Sequence, residues 1–278
     1  MAPVSPAAGP PPCRPRAVAG PQGPWHTVHD DLSATGVVLV YGLLAQWLPH
    51  IQDVARVRPV LGRDWQRYQT LTHPRAKERF LASRLLLRHA AAVAIETAPD
   101  LVDLAYQPGG RPFVRGCDQI DISLSHTEEV MVVGITSRGR VGVDVELAAR
   151  RMAGTGSEAQ GCTPFERQRL DAADGRDRND TLVRLWTLKE AYSKALGQGL
   201  RFRFTEFGFA LDGTWARLVG PDGRDAGADD WVFATFAVEG KYVVSAAVQD
   251  AGFGDGTDLS VQTALDAGLL DALLDTTG

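Results

Sequence analysis

The sharpest alternation of apolar and polar positions in the chain is Val141-Gly-Val-Asp-Val-Glu146. Successive side chains of a strand point to opposite faces, so Val143 and Val145 turn to a core while Asp144 and Glu146 share the other face. Ile120 to His126 alternates in the same way, and Val130 to Thr136 reads as its hairpin partner. Ser137-Arg-Gly-Arg140 then turns into a strand over 141–147. A β-branched run, Gly36 to Tyr41, predicts an earlier strand. Further strands are expected over 206–211, 231–238 and 242–249. Helical spacing marks residues 74–96, where Phe80, Leu81, Leu85, Leu87 and Ala91 form an apolar stripe and Pro74 suits the first turn. The polar side of that helix carries Arg75, Lys77, Arg79, Arg84 and Arg88, and for any single arginine a solvated basic face is the simplest reading. A second long helix runs from a cap at Asn179 or Asp180 to Leu196, with Gly197 and Gly199 as its stop. Pro164 to Ala173 reads as a short helix, and Pro108-Gly-Gly-Arg-Pro112 as a turn.

The order of a helix followed by antiparallel strands occurs twice, before and after residue 141. This predicts an α+β fold of two similar halves, 31–140 and 141–250, each a small antiparallel sheet with a long helix. The cleft between such halves is a natural ligand site. The Gly-, Ala- and Ser-rich segment 148–162 reads as a linker or loop. The first 30 residues, with Pro3, Pro6, Pro10, Pro11, Pro12, Pro15, Pro21 and Pro24, read as a disordered tail. Residues 251–278 form an acidic tail, within which 259–274 has the spacing of a weak amphipathic helix.

A chain of 278 residues with 44% hydrophobic content can bury substantial cores. Its net charge of -5, without a basic run, argues against nucleic acid as the main partner. No apolar run reaches the roughly 20 residues of a membrane span. Cys13, Cys117 and Cys162 fit no zinc spacing and cannot complete a disulfide framework, which suits a reducing cytosol.

Candidate chemistry converges on the strand at 141–147 and the helix through Trp186-Thr-Leu-Lys-Glu-Ala-Tyr-Ser-Lys194. On that helix Trp186, Lys189, Glu190 and Lys194 fall within one broad face. Docked together, the two elements offer Asp144, Glu146 and Glu190 with Lys189 and Lys194. Such a set suits a hard divalent cation and a polyphosphate, since Mg²⁺ is usually held by one or two carboxylates, waters and substrate phosphates. Either element alone says less: Asp-x-Glu is commonly a solvated sheet face, and Glu190 with Lys194 is an ordinary i, i+4 pair. No phosphate-cradling Gly-x-x-x-x-Gly-Lys-Ser/Thr loop, dinucleotide fingerprint or Gly-x-Ser-x-Gly elbow is present.

Four segments occur together in this order: Gly110-Arg-Pro112, Leu124-Ser-His126, Gly142-Val-Asp-Val-Glu146 and Trp186-x-x-Lys-Glu-Ala-x-x-Lys194. In combination they resemble the 4'-phosphopantetheinyl transferase superfamily, in its large, two-domain, surfactin-synthetase-activating type. The resemblance covers residues 60–210 well and the flanks loosely. It implies a pseudo-twofold arrangement of the halves and an Mg²⁺-dependent cytoplasmic monomer. Such an enzyme moves the phosphopantetheine arm of coenzyme A to a serine of an acyl or peptidyl carrier protein of a polyketide, peptide or fatty acid synthase. Asp144, Glu146 and Glu190 become metal ligands, with Glu190 the first candidate for general base and Lys194 a stabiliser of phosphate charge. His126, Ser125 and Arg111 become contacts to coenzyme A through its 3'-phosphate. Lys189, Arg79 and Arg84 are further phosphate candidates, and Trp186 a core anchor. Where the family often has Lys in the Gly-x-Pro turn, this chain has Arg111. Glu166 resembles an acidic position near the family's site and equally suits a plain helix N-terminus. Two other readings use the same residues: a metal-dependent hydrolase of nucleotide diphosphates such as coenzyme A, and a non-catalytic carrier-binding protein.

Overall fold

Residues 12–198 and 203–251 are described by a computed structural model. The first half contains β1 (Arg16–Ala17), α1 (Trp25–Thr35), β2 (Val37–Leu43), α2 (Leu44–Ile51), α3 (Val54–Leu61), α4 (Asp64–Thr70), α5 (Pro74–Ala94), β3 (Leu104–Tyr106), β4 (Pro112–Val114), β5 (Asp121–His126) and β6 (Val130–Thr136). The second contains β7 (Gly139–Leu147), α6 (Ser157–Gly161), α7 (Pro164–Asp171), α8 (Gly175–Leu196), β8 (Gly208–Asp212), β9 (Trp215–Val219), β10 (Trp231–Val238) and β11 (Tyr242–Asp250).

The first sheet has the order β1-β2-β6-β5, the second β7-β11-β10-β9-β8, and β3 with β4 forms a separate ribbon. The mixed α+β class expected from the sequence is therefore present. The same succession recurs in each half: a strand, short helices, one long helix, a two-stranded pair, then a closing hairpin. In both, the strand that precedes the short helices pairs antiparallel with the last strand, β2 with β6 and β7 with β11. One difference is that β1 pairs parallel to β2, so the first sheet is not purely antiparallel.

Three apolar cores follow from strand alternation. One face of the first sheet, with Val38, Val40, Ile122 and Val133, packs on α5 and its neighbouring helices. The opposite face, with Val37, Leu39, Val130 and Val132, meets Val141, Val143, Val145, Val244 and Ala246 of the second sheet. A third core lies beneath α8. Val143 and Val145 thus face the sheet-to-sheet core, and Asp144 and Glu146 point the other way, toward α8. Gly142 makes that docking possible: a Cβ there would lie 1.9 Å from the Ala191 carbonyl oxygen. No larger residue could let α8 lie so close on β7, and this contact sets Glu190 and Lys194 over Asp144.

Several sequence expectations are corrected. Residues 12–30 were expected in a disordered tail, yet they supply β1 and the start of α1, with Val18 buried and its carbonyl accepting from the Trp47 indole at 2.9 Å. The segment 148–162 is folded, with α6 inside it and Met152 and Cys162 buried. Helix α8 begins at Gly175, not at Asn179. The Asn179 side chain instead accepts from the backbone of Met152 and Ala153 at 2.9 and 3.1 Å, which fastens that segment to the helix. Arg88 does not belong to a solvated face: it is 2% exposed and donates to the carbonyls of Leu61 and Val102. Gly197 caps α8 in the left-handed region, whereas Gly199, the helix expected over 259–274 and most of the acidic tail lie outside the described residues. No helix among the described residues is long and apolar enough to cross a membrane.

Candidate active site

The two halves meet where β5 runs along the free edge of β7. No backbone ladder joins them. Side chains at alternate positions of β5, which share a face, bond to β7 instead. The backbone N–H of Val141 donates to Asp121 at 2.7 Å, that of Val143 donates to the Ser123 hydroxyl at 3.1 Å, and the Ser125 hydroxyl donates to Asp144 Oδ1 at 2.9 Å. Lys194 reaches in from α8. Its Nζ donates to Asp144 Oδ1 at 2.6 Å, to Ser125 Oγ at 3.0 Å and to the Val143 carbonyl at 3.2 Å. One cation from the second half and one hydroxyl from the first thus share a single carboxylate oxygen.

Glu190 lies one helical turn before Lys194. Burial pushes its pKa up from the ordinary carboxylate value, the nearby Asp144 carboxylate adds to this, and Lys194 and Arg150 oppose it. The Asp144 and Glu190 carboxylates therefore interact electrostatically across the docked strand and helix. Glu146 is committed elsewhere. It accepts from the Leu147 backbone N–H at 2.9 Å and pairs with Arg150. Among the described residues no three His, Cys, Asp or Glu side chains are gathered as a metal cluster. Of the three expected metal carboxylates, Glu146 is thus engaged by the guanidinium of Arg150. The donor chemistry of Asp144 and Glu190 still suits Mg²⁺, which needs only one or two carboxylates beside waters and phosphates.

At the end of β5, His126 is open to solvent on one side. Its packed surroundings hold its pKa below the usual histidine value, and the positive charges of Arg84, Arg79 and Lys194 lower it further. The three cations around His126 make a setting that favours an anion. Of those cations, Arg79 is half-buried and Arg84 is locked away. Arg84 is 8% exposed, 3.7 Å from Asp64, and stacked over the rings of Phe80 and Tyr106 at 4.8 and 5.3 Å. It is therefore corrected from a direct phosphate contact to a buried charge acting through space. Arg111 is not beside His126. Its Nη2 donates to Asp121 and to the Val141 carbonyl at 3.0 Å. Asp121 precedes His126 by five residues, about 16 Å of strand, so Arg111 and His126 sit toward opposite ends of β5.

The family model described as the 4'-phosphopantetheinyl transferase superfamily matches residues 140–247, which contain Asp144, Glu146, Glu190 and Lys194. The chain is 29% identical over 137 residues to a putative 4'-phosphopantetheinyl transferase of Synechocystis sp., covering 49% of this chain and 54% of that protein. It is 30% identical over 224 residues to a phosphopantetheinyl transferase of Thraustochytrium sp., covering 74% of this chain and 76% of that protein. The chain belongs to the 4'-phosphopantetheinyl transferase superfamily. A 4'-phosphopantetheinyl transferase of Bacillus subtilis is 25% identical over 189 residues, 67% of this chain and 81% of its own length, in keeping with the large type. Against the Synechocystis protein the match spans only about half of that relative.

Within this superfamily member, two signature-region residues prove structural. Lys189 is 1% exposed, and its Nζ donates to Glu166 and Gly161 O at 2.7 Å, to Phe204 O at 2.6 Å and to Phe207 O at 2.9 Å. It has no proton left for a phosphate and is corrected from a coenzyme A contact to a core ion pair. Glu166, 1% exposed, closes a capping box with Thr163 at the start of α7 and accepts from the Phe209 backbone. Trp186 packs edge-on against Phe204 at 5.4 Å and anchors α8 to the core of the second half. Asp64, Asp121, Ser123 and Arg150 carry parts of the arrangement that sequence reasoning missed. Asp121 and Ser123 left a signal, the strand alternation they share with Ser125.

Proposed function

We propose that this protein transfers the 4'-phosphopantetheine arm of coenzyme A to a serine of an apo carrier protein with the help of Mg²⁺. The observation that carries this reading is the meeting of Asp144, Glu190, Lys194 and Ser125 at the seam between the halves. The serine hydroxyl attacks the β-phosphorus, the pyrophosphate bond breaks, and adenosine 3',5'-bisphosphate leaves. Such a reaction relies on positioning and on neutralising phosphate charge. Bound at Asp144 and Glu190, Mg²⁺ would neutralise the pyrophosphate oxygens; Glu146 would join it only by leaving Arg150. Glu190 takes the serine proton, a task its raised pKa favours. Lys194, already aimed between the halves, places its charge on the oxygens that gain charge as the bond breaks. His126 and Arg79 face the 3'-phosphate. The family relatives support transfer to carrier proteins as the class of reaction; acyl or peptidyl carriers of polyketide, peptide or fatty acid synthases are the acceptors we assign. We place the enzyme in the cytoplasm as a monomer. Cys13, Cys117 and Cys162 are free, in keeping with a reducing compartment.

The test is mass spectrometry of a panel of apo carrier proteins incubated with coenzyme A and Mg²⁺. One carrier should gain the mass of a single phosphopantetheine. Asp144→Ala should abolish the gain while the protein stays folded. Consumption of coenzyme A without any modified carrier would instead establish a hydrolase.

A further inference from the structure

The turn that follows β7 brings a cation back onto the face of that strand that carries Asp144. Asp144 and Glu146 share this face, two residues and about 7 Å apart. After Leu147 the chain turns at Ala148 and Ala149, and the Arg150 backbone N–H donates to the Leu147 carbonyl at 3.0 Å. The reversal returns the Arg150 side chain to Glu146, with which it pairs. Helix α8 fixes the same turn from the other side. The Asn179 amide donates to the Arg150 carbonyl at 3.0 Å, and its oxygen accepts from Met152 and Ala153. Asn179 stands 11 residues before Glu190, about three helical turns, so one face of α8 both holds this turn and carries Glu190.

Charge shows what this arrangement can do. Lys194 pairs with Asp144 and Arg150 with Glu146, while Glu190, among the described residues, has no ion pair. Two internal cations thus face three carboxylates. A divalent cation held by all three would neutralise them together with Lys194, and the charge of Arg150 would then be in surplus. Metal and guanidinium therefore compete for Glu146. The guanidinium is able to yield. The Arg150 side chain is 47% exposed, against 17% for Glu146, and an ion pair open to solvent on one side is weak. Only the backbone of Arg150 is fastened, so its side chain can swing outward while the turn stays in place. A pyrophosphate arriving with the metal offers the surplus charge a new partner. Lys194 is not free in this way, because it is bonded at once to Asp144, Ser125 and the Val143 carbonyl.

We propose that Arg150 is a positioning residue, an internal cation that holds Glu146 out of the metal site until a divalent cation displaces it. This rests on the metal-assisted transfer proposed above and adds the residue that sets how readily the metal site forms. The experiment titrates Mn²⁺, which takes the same oxygen ligands as Mg²⁺, into the enzyme with coenzyme A and no carrier. Free Mn²⁺ is read by electron paramagnetic resonance against a coenzyme A blank. Wild type, Arg150→Gln, Glu146→Gln and the double variant are compared, with thermal unfolding of the same samples. Glu146→Gln retains an oxygen for the Leu147 N–H, so the fold should survive. Arg150→Gln should tighten Mn²⁺ about threefold to fivefold, the scale of a partly exposed ion pair. With Glu146 already replaced, the same substitution should change the affinity by less than about twofold, because no pair is left to break. Equal tightening in both backgrounds would reveal only the general field of the guanidinium and overturns the assignment, as does an unchanged affinity in Arg150→Gln. Wild type that binds no Mn²⁺ at millimolar concentration overturns the metal reading itself, whereas binding that ignores Arg150 overturns the displacement alone.

Discussion

Replacing Lys189 by Met separates a structural lysine from a phosphate-binding one. The structure places the Lys189 and Glu166 side chains at 1% exposure each, 2.7 Å apart. Removing the ammonium leaves Glu166 with only two backbone donors, Thr163 N and Phe209 N, each at 2.9 Å. Breaking a buried ion pair from one side typically costs about 3–5 kcal/mol. At about 2–4 °C per kcal/mol for a protein of this size, Tm should fall by roughly 6–20 °C. Calorimetry gives Tm, and titration calorimetry well below it gives coenzyme A affinity, which should stay within about threefold of wild type since no phosphate contact is lost. The double variant Lys189→Met with Glu166→Leu should recover only part of the loss, because it removes the unpaired charge but leaves the Thr163 and Phe209 N–H groups and the carbonyls of Gly161, Phe204 and Phe207 without those partners. An unchanged Tm with a tenfold weaker coenzyme A complex would refute the reasoning and return Lys189 to the ligand site.

Glu190 should act against stability when no divalent cation is supplied. Its folded pKa is raised, so ionisation costs the folded state free energy that is fully present above the raised pKa and disappears as pH falls toward 4.5. Glu190→Gln should therefore raise Tm at pH 7.5 in chelator, with a gain that fades on acidification, while abolishing transfer; a lowered Tm at pH 7.5 would contradict this. Lys194→Ala should cut kcat by a factor on the order of 10² with modest change in KM for coenzyme A, as expected for a charge used mainly in the transition state; a normal kcat with raised KM would place it in ground-state binding. His126→Ala should weaken coenzyme A by about 1.5–3 kcal/mol and dephospho-coenzyme A by less. Arg111→Ala should instead lower Tm and treat both ligands alike, and selective loss of coenzyme A in that variant would restore Arg111 to the 3'-phosphate.

What was legible in the sequence is what local periodicity encodes. The two faces of Val141 to Glu146 could be read because a strand's period is two. The long helices could be read from their apolar stripes, and the closeness of Asp144 to Glu190 from combining the two periods. The missed elements have other causes. Helices α2 and α3 carry Pro49 and Pro59 inside them, which masks their pattern, and β3 and β4 are three residues each, too short for alternation to register. Charged side chains failed for a third reason. Whether an Arg or Lys binds ligand or closes the core depends on partners far along the chain. Lys189 meets Glu166 from 23 residues away and carbonyls from 15 to 28 residues away. Arg84 meets Asp64 at 3.7 Å across the α4–α5 turn. No spacing rule announces either pairing, nor that of Glu146 with Arg150, since the i, i+4 rule holds on helices and Glu146 lies in a strand.

The seam explains why signature residues divide so sharply between chemistry and architecture. A strand edge facing another sheet without a ladder leaves N–H and C=O groups that must be satisfied. Along β7 these groups are met by Asp121 and Arg111 at Val141, and by Ser123 and Lys194 at Val143. The first pair is closed on itself, since Arg111 and Asp121 also bond each other. The second is open, since Lys194 continues to Asp144 and Ser125. The closed pair therefore fixes how the halves are set, and the open one extends the same joint into the carboxylates. Moving from Val141 to Val143 is a step of about 7 Å along one strand, and over that step the polar edge passes from holding the halves together to presenting charge between them. A substitution at the Val141 end should register first in stability and one at the Val143 end first in turnover, so the two readouts together locate where architecture gives way to catalysis.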